Sequence, residues 1–234
     1  MMMILAVTTM TIVSFISTHA STTEATPLYS FVSIGDWGGA ALDGGLDTDS
    51  QDYKNVMAVS KQMAATSATL DAQFVINTGD NFYWCGIKNT TDFQIEADFV
   101  QPYTGSESLQ KKWYSVLGNH EYGYNVTAQL DYTNMSPYWY LPERYYTERI
   151  TLDAKQEAYA TMIFLDTSPC LWQYRNDNPA NWDPCSTQYP TCSQSATADD
   201  FEGECEFHTN ILTQNCPEQF TWFQNTLAAV PEVR

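Results

Sequence analysis

The chain has 234 residues, with 28 Asp and Glu against 10 Lys and Arg, for a formal net charge of -18. At 44% hydrophobic and 14% aromatic it is too apolar for a disordered chain. The acid excess excludes a nonspecific nucleic-acid binder and a protein held on anionic lipid by a basic patch; no run approaches the roughly 20 apolar residues that span a bilayer.

Residues 1–20 contain no Asp, Glu, Lys or Arg and run through Ile4, Leu5, Val7, Ile12, Val13, Phe15 and Ile16 to Thr18-His19-Ala20. This reads as a secretory signal peptide with small residues at the -3 and -1 positions of a cut after Ala20. A buried N-terminal helix would need a polar face, which only scattered Thr and Ser supply. Residues 28–234 then read as one α/β domain. Residues 29–34 read as a strand running into Gly35-Asp36, and Tyr53, Val56, Val59, Met63 and Leu70 recur at helical spacing. Residues 74–77 form a short buried strand before Gly79-Asp80. Phe93, Ala97 and Val100 suggest a helix, and residues 113–117 a strand before Gly118-Asn119-His120. A further strand over 158–166 ends at Asp166, and Phe220, Phe223, Leu227 and Val230 mark a closing helix. Such alternation implies a largely parallel sheet covered by helices.

Residues 167–216 break that rhythm. They hold five Cys and four Pro among many Asn, Asp, Ser and Thr, and read as a surface insertion pinned by disulfides. The six Cys allow 15 pairings. A zinc site is disfavoured because no Cys-x-x-Cys pair occurs and His208 is the only His nearby. Three acceptor sequons, at Asn89, Asn125 and Asn134, agree with an exported glycoprotein.

The chemistry lies where three strands end, the place where open α/β sheets gather ligands. Each end carries a Gly followed by an oxygen donor: Asp36, Asp80 and Asn119. Tyr83, three residues after Asp80, adds a phenol. Two carboxylates, an amide and a phenol suit a hard metal ion. Singly, each has a plainer reading: a Gly-Asp is usually a turn, Tyr83 between Phe82 and Trp84 would be packing, and His120 a hydrogen-bonded structural residue.

Taken in order, Gly35-Asp36-Trp37-Gly38-Gly39, Gly79-Asp80-Asn81-Phe82-Tyr83 and Gly118-Asn119-His120-Glu121 resemble the first three motif blocks of the purple acid phosphatases, in particular the small tartrate-resistant type within the calcineurin-like metallophosphoesterases. The resemblance extends over residues 28–167, through Phe31-Val32-Ser33-Ile34, Trp113-Tyr114-Ser115-Val116-Leu117 and Phe164-Leu165-Asp166-Thr167, and more loosely over 217–230. The Tyr after the second Asp is its specific mark. The resemblance implies a four-layer α/β/β/α sandwich, of which this chain supplies roughly the N-terminal two-thirds. It also implies a binuclear centre of Fe(III) plus a divalent Fe, Zn or Mn. Asp36 and Tyr83 would bind the ferric ion, Asp80 would bridge, Asn119 would bind the divalent ion, and His120 would act beside the phosphate as the catalytic group. The substrates it implies are small phosphate monoesters or phosphoproteins.

The family completes its site with three His from later motifs that do not occur here, so four of its seven ligands are present. The expectation is an N-terminal part of a secreted or endolysosomal acid phosphatase. A catalytically inactive secreted relative and a metallophosphodiesterase are the alternatives. In the small enzymes of the family, a loop placed like 167–216 restrains activity until cut. With five Cys in the insertion, one must bond elsewhere if all pair within the chain, and Cys85 is the remaining candidate.

Overall fold

The computed structural model describes residues 29–42, 45–153, 158–176, 178, 181–185 and 205–230. The expected signal peptide and the middle of the insertion lie outside the described residues.

Four short strands form one parallel sheet: β1 (Val32–Ile34), β4 (Val75–Asn77), β5 (Trp113–Ser115) and β6 (Trp139–Tyr140), in the order β1-β4-β5-β6. The first two crossovers are helical. After a small hairpin, β2 (Ala41–Leu42) with β3 (Gly45–Leu46), the chain enters α1 (Gln51–Thr69). The Ser50 side chain caps α1 by accepting from the Tyr53 N–H, and Met63, Val56 and Val59 turn the expected apolar stripe towards the core.

Between β4 and β5, Ile95–Thr104 winds as a π-helix that contains Pro102. In an α-helix the proline ring would clash with the preceding turn. Here the wider winding is visible in the bond from Gly105 N–H back to Val100 O, 2.9 Å. Ala97 is buried on this helix as expected, whereas Phe93 precedes it and is exposed. After β5 follows α2 (Val126–Asp131), capped by the Asn125 side chain.

Under the sheet ends lies an aromatic core centred on Trp37. Its indole meets the rings of Phe82, Phe99, Tyr103, Trp113 and Trp139 at centroid distances of 5.4–6.4 Å, mostly edge-on. The Trp37 N–H donates to Asn77 Oδ1 at 2.8 Å, so the large ring is anchored rather than merely packed.

One expectation needs correction, and two others gain detail. The strand at 158–166 is β8 (Ala158–Phe164), and it does not join the parallel sheet. It pairs antiparallel with β7 (Tyr146–Asp153), a strand the sequence reading passed over. Among the described side chains of this hairpin only Tyr146, Ile150 and Phe164 are buried, so the alternation that would announce β7 is weak. The insertion therefore follows a separate hairpin rather than a strand on the sheet that carries the motif loops. Secondly, the insertion is not all loop. It opens with a short turn of helix and α3 (Trp172–Arg175), and it closes with α4 (Phe207–Leu212). Finally, the closing helix exists as α5 (Cys216–Ala229), but its apolar residues face the interior poorly. Phe220 is 59% exposed, and the fully buried side chain is Gln219. The Gln219 amide donates to Asp166 O at 2.9 Å and accepts from Asp166 N–H at 3.0 Å, tying α5 to the end of the hairpin.

Candidate metal centre

In the sheet register, Ile34 lies beside Asn77, and Asn77 beside Ser115. The three strands thus end level, and their motif loops leave side by side. The Asp36 N–H donates to Gly79 O (3.1 Å), which joins the first loop to the second. Gly79 and Gly118 permit the approach of the second loop to the third. A Cβ on Gly79, whose φ is +97°, would lie 2.6 Å from Gly118 N, and one on Gly118 would lie 2.0 Å from Asp80 Oδ1. Asp36 and Asp80 themselves hold φ of +52°, a conformation few non-glycine residues adopt and one that turns both carboxylates out of their strands.

The structure brings four of the five expected residues into one group. The Tyr83 phenol donates to Asp36 Oδ1 at 2.9 Å. Asp80 Oδ1 accepts from the His120 backbone N–H at 3.2 Å. The His120 ring lies 4.4 Å from that of Tyr83, centroid to centroid. Asn119 stands on the third loop between Gly118 and His120, half-buried, and makes no side-chain hydrogen bond to the other four among the described residues. His120 Nδ1 lies 2.6 Å from Trp84 O. A carbonyl only accepts, so Nδ1 carries the proton and Nε2 holds the lone pair.

Electrostatically the group is unbalanced. Burial, then the charge of Glu121 and that of Asp36, push the Asp80 carboxyl up to about 8. Burial and the carboxylates of Asp80 and Asp36 raise the Tyr83 phenol well above its ordinary range. Burial lowers the His120 imidazole, opposed by its bond to Trp84 and by Asp36. The strongest influences on Asp80 and Tyr83 are burial and neighbouring carboxylates, with no Lys or Arg among them. Oxygen donors crowded in this way form a chemical environment that a multivalent metal ion would relieve, so the residues present fit such a group. Among the described residues no three His, Cys, Asp or Glu side chains converge on one point; the donor set is two carboxylates completed by a phenol and an amide.

One residue of the third motif has a role that sequence reasoning missed. Glu121 is fully buried, and its carboxylate accepts four backbone N–H groups: Gly118 (2.6 Å), Asn81 (2.7 Å), Asp80 (3.1 Å) and Phe82 (3.2 Å). It therefore clamps the second and third loops together from beneath. Burial pushes its own carboxyl up, while these four donors pull it down. A Glu beside Asn119 and His120, with Lys112 the nearest cation in sequence, was the available signal. Beneath the clamp, Asn77 passes a buried hydrogen-bond chain from the Trp37 indole to Ser115 Oγ (3.1 Å).

The disulfides resolve part of the pairing. Cys170 bonds to Cys216 and Cys185 to Cys205. Cys85 is disulfide-bonded as well, to a partner outside the described residues. The first bond closes the insertion at its base; the second sits beside Trp182, whose indole meets the His120 ring at 4.9 Å, so the insertion does reach the site.

Comparisons with known proteins give the family. The chain is 39% identical over 145 residues to purple acid phosphatase 7 of Arabidopsis thaliana, covering 62% of this chain and 39% of that protein. It is 32% identical to tartrate-resistant acid phosphatase type 5 of Sus scrofa (62% of this chain, 41% of that one) and 33% identical to the Homo sapiens protein of that name (61% and 42%). The chain thus spans about two-fifths of the length of these relatives. Among solved structures, GAP50, the anchor in the inner membrane complex of Plasmodium, is 21% identical with a TM-score of 0.49, over 63% of this chain and 45% of that one. The profile of the calcineurin-like phosphoesterases matches residues 29–188, more than half of the chain. The chain belongs to the calcineurin-like phosphoesterase family.

Proposed function

We propose that this chain carries the first half of the metal site of an acid phosphatase that hydrolyses phosphate monoesters, with Asp36, Asp80, Tyr83 and Asn119 as metal ligands and His120 beside the substrate. The observation that carries the reading is the cluster itself: Tyr83 bonded to Asp36 at 2.9 Å, Asp80 held against the His120 N–H, and the His120 ring tilted against that of Tyr83 at 4.4 Å. A pair of ions bound there, ferric iron with a divalent Fe, Zn or Mn, would supply Lewis acidity towards the phosphoryl oxygens and a more acidic water.

The chain's own groups define the rest. Tyr83 must give up the proton it now shares with Asp36 Oδ1. Burial and the neighbouring carboxylates of Asp80 and Asp36 hold that proton on the phenol, and a cation held by Asp36, Asp80 and Tyr83 would offset those charges and favour the phenolate. His120, with Nδ1–H committed to Trp84 O, presents Nε2. In its neutral form Nε2 accepts; once protonated it donates to the leaving alkoxide oxygen. Burial lowers the imidazole pKa, so the donating form accumulates only as pH falls below the ordinary histidine range. This favours acidic operation, as does the net charge of -18, which repels anionic substrates less once part of the carboxylate excess is protonated. We further read the protein as a secreted or endolysosomal glycoprotein. Exposed Asn89, Asn125 and Asn134 and a disulfide-bonded set of cysteines support this.

Ferric iron added to the purified chain should produce a visible phenolate-to-iron band that Tyr83→Phe abolishes while the far-UV spectrum is kept. A band that survives in Tyr83→Phe removes Tyr83 from the ligand set. For the whole protein, p-nitrophenyl phosphate should turn over faster at pH 5 than at pH 8, and faster than bis(p-nitrophenyl) phosphate. The reverse preference between the two esters would make it a diesterase.

A further inference from the structure

The insertion brings one aromatic ring onto His120, and the surrounding structure fixes that ring from several sides. The Trp182 indole meets the imidazole edge-on at 4.9 Å. Behind it, Trp182 packs on Phe207 at 5.2 Å and on Tyr174 at 5.9 Å, and those two rings pack on each other at 5.5 Å. The Cys185–Cys205 bond joins the two stretches of chain that carry Trp182 and Phe207, and the Phe207 N–H points at Cys185 Sγ. This assembly is also stitched to the residues that follow His120. Glu206 N–H donates to Gly123 O (2.9 Å), and the Asn210 amide donates to both Tyr122 O (3.0 Å) and Tyr124 O (2.7 Å). The insertion and the third motif loop therefore hold a common position, with Trp182 and His120 at their junction.

We propose that Trp182 is a positioning residue for His120. It closes an aromatic cage, with Tyr83 at 4.4 Å and Trp84 at 5.9 Å as the other walls, that keeps the imidazole in the orientation where Nδ1–H bonds to Trp84 O and Nε2 faces the reacting centre. The proposal rests on the reading that His120 serves the phosphate. It gives the Cys-rich insertion a constructive part in the site, in contrast to the restraining loop that the family resemblance implies. A cut between Cys185 and Cys205 leaves Trp182 attached through the disulfide, so cleavage alone should leave the imidazole where it is.

The test reads the imidazole directly. Long-range proton–nitrogen correlation of the 15N-histidine-labelled chain at pH 8 reports the tautomer of each of its few His rings. Wild type should show His120 as the Nδ1–H tautomer. Trp182→Leu should give a mixture of tautomers in the ring 15N shifts, and Trp182→Phe should restore the single Nδ1–H tautomer. Trp172→Leu, which alters a ring of the same insertion that is 75% exposed, should change nothing at His120. A single Nδ1–H tautomer of His120 kept in Trp182→Leu would overturn the proposal. His208, whose Nδ1 lies 3.3 Å from Tyr174 O, reports on the insertion itself. If Trp182→Leu disturbs His208 too, Trp182→Phe decides: recovery of both rings supports the proposal, and recovery of His208 alone overturns it. None of these signals needs metal or turnover, so the hydrolytic reading can fail while the positioning stands.

Discussion

Glu121 offers the sharpest test of how the site is built. Its two carboxylate oxygens accept four backbone N–H groups at 2.6–3.2 Å, from Gly118 and Asp80 on one oxygen and from Asn81 and Phe82 on the other. Glu121→Gln conserves the shape but replaces one acceptor oxygen by an NH2 group. Whichever way the amide turns, two backbone donors then face a donor. Hydrogen bonds to a charged group are worth roughly 1.5–3 kcal/mol each, so losing two costs about 3–6 kcal/mol. Removing the buried carboxylate also relieves the repulsion that helps raise Asp80, an offset taken as on the order of 1 kcal/mol, less than one of the lost hydrogen bonds. The net expectation is a loss of about 2–5 kcal/mol, a large share of the roughly 5–15 kcal/mol that holds a domain. Urea unfolding followed by tryptophan fluorescence measures it. With a slope of roughly 2–3 kcal/mol per molar, the midpoint should fall by about 0.7–2.5 M. Glu121→Ala, which strands all four donors, should be worse. A Glu121→Gln chain within about 0.5 kcal/mol of wild type, the range of an ordinary surface change, would refute the clamp.

Gly118→Ala would place a methyl 2.0 Å from Asp80 Oδ1 and 2.4 Å from Asp80 N, so the carboxylate must move. Zinc or manganese affinity by calorimetry should fall at least about tenfold, or ~1.4 kcal/mol, with overpacking adding a stability loss of roughly 1–3 kcal/mol; an unchanged affinity would show that Asp80 is free to relocate. The pH dependence follows from Asp98 and Asp166, each pushed up to about 7, chiefly by burial. Their pKa values are raised on folding, so between about pH 4, the unfolded carboxylate range, and about pH 7 the folded chain binds more protons than the unfolded one, and stability is lost as pH rises through that window. Melting in a chelator should therefore come at higher temperature at pH 5 than at pH 8, and a higher value at pH 8 would contradict these assignments. Peptide mapping of the unreduced protein should join the Cys85 peptide to that of Cys192, the cysteine left over once Cys170–Cys216 and Cys185–Cys205 are paired; a free Cys192 thiol would exclude it.

The parts of the fold that were legible in the sequence are those written in short-range signals. Each motif strand is a buried apolar run stopped by glycine, and the helical stripe of Val56, Val59 and Met63 faces the core as its spacing implies. The candidate site was legible for the same reason, since three Gly-plus-donor pairs sit at strand ends that the register aligns. What stayed hidden depends on partners distant in sequence. The β7–β8 hairpin buries few of its residues, so its alternation is faint. The α5 helix is fastened by Gln219 to the backbone of Asp166 rather than by the apolar residues that announced it, and Phe220 points outward. Trp182 sits among Asn, Asp and Pro, a composition that marks loop, and nothing local to it reveals the distant histidine, far earlier in the chain, on which it rests.

The division of labour within the site explains why its ligands were easier to read than its supports. Donors that meet a metal must be of a few types at sharply turned positions, so they leave motifs. The groups that hold those donors need only reach a backbone atom or a neighbouring side chain, and many buried residues can do that. In this chain the supporting work falls to Glu121 beneath the loops, Asn77 under the sheet ends and Trp182 above the imidazole. None of the three needs a metal to keep its contacts. The loops should therefore keep their arrangement before any ion binds, and the ion would meet donors already gathered at Asp36, Asp80 and Tyr83. Such a site gains more from a cation than a flexible one, because other residues have already met the cost of ordering the loops. It also makes the clamp and the ligand set separable by experiment. Loss of Glu121 should weaken the fold and the metal together, whereas loss of Tyr83 should weaken the metal alone.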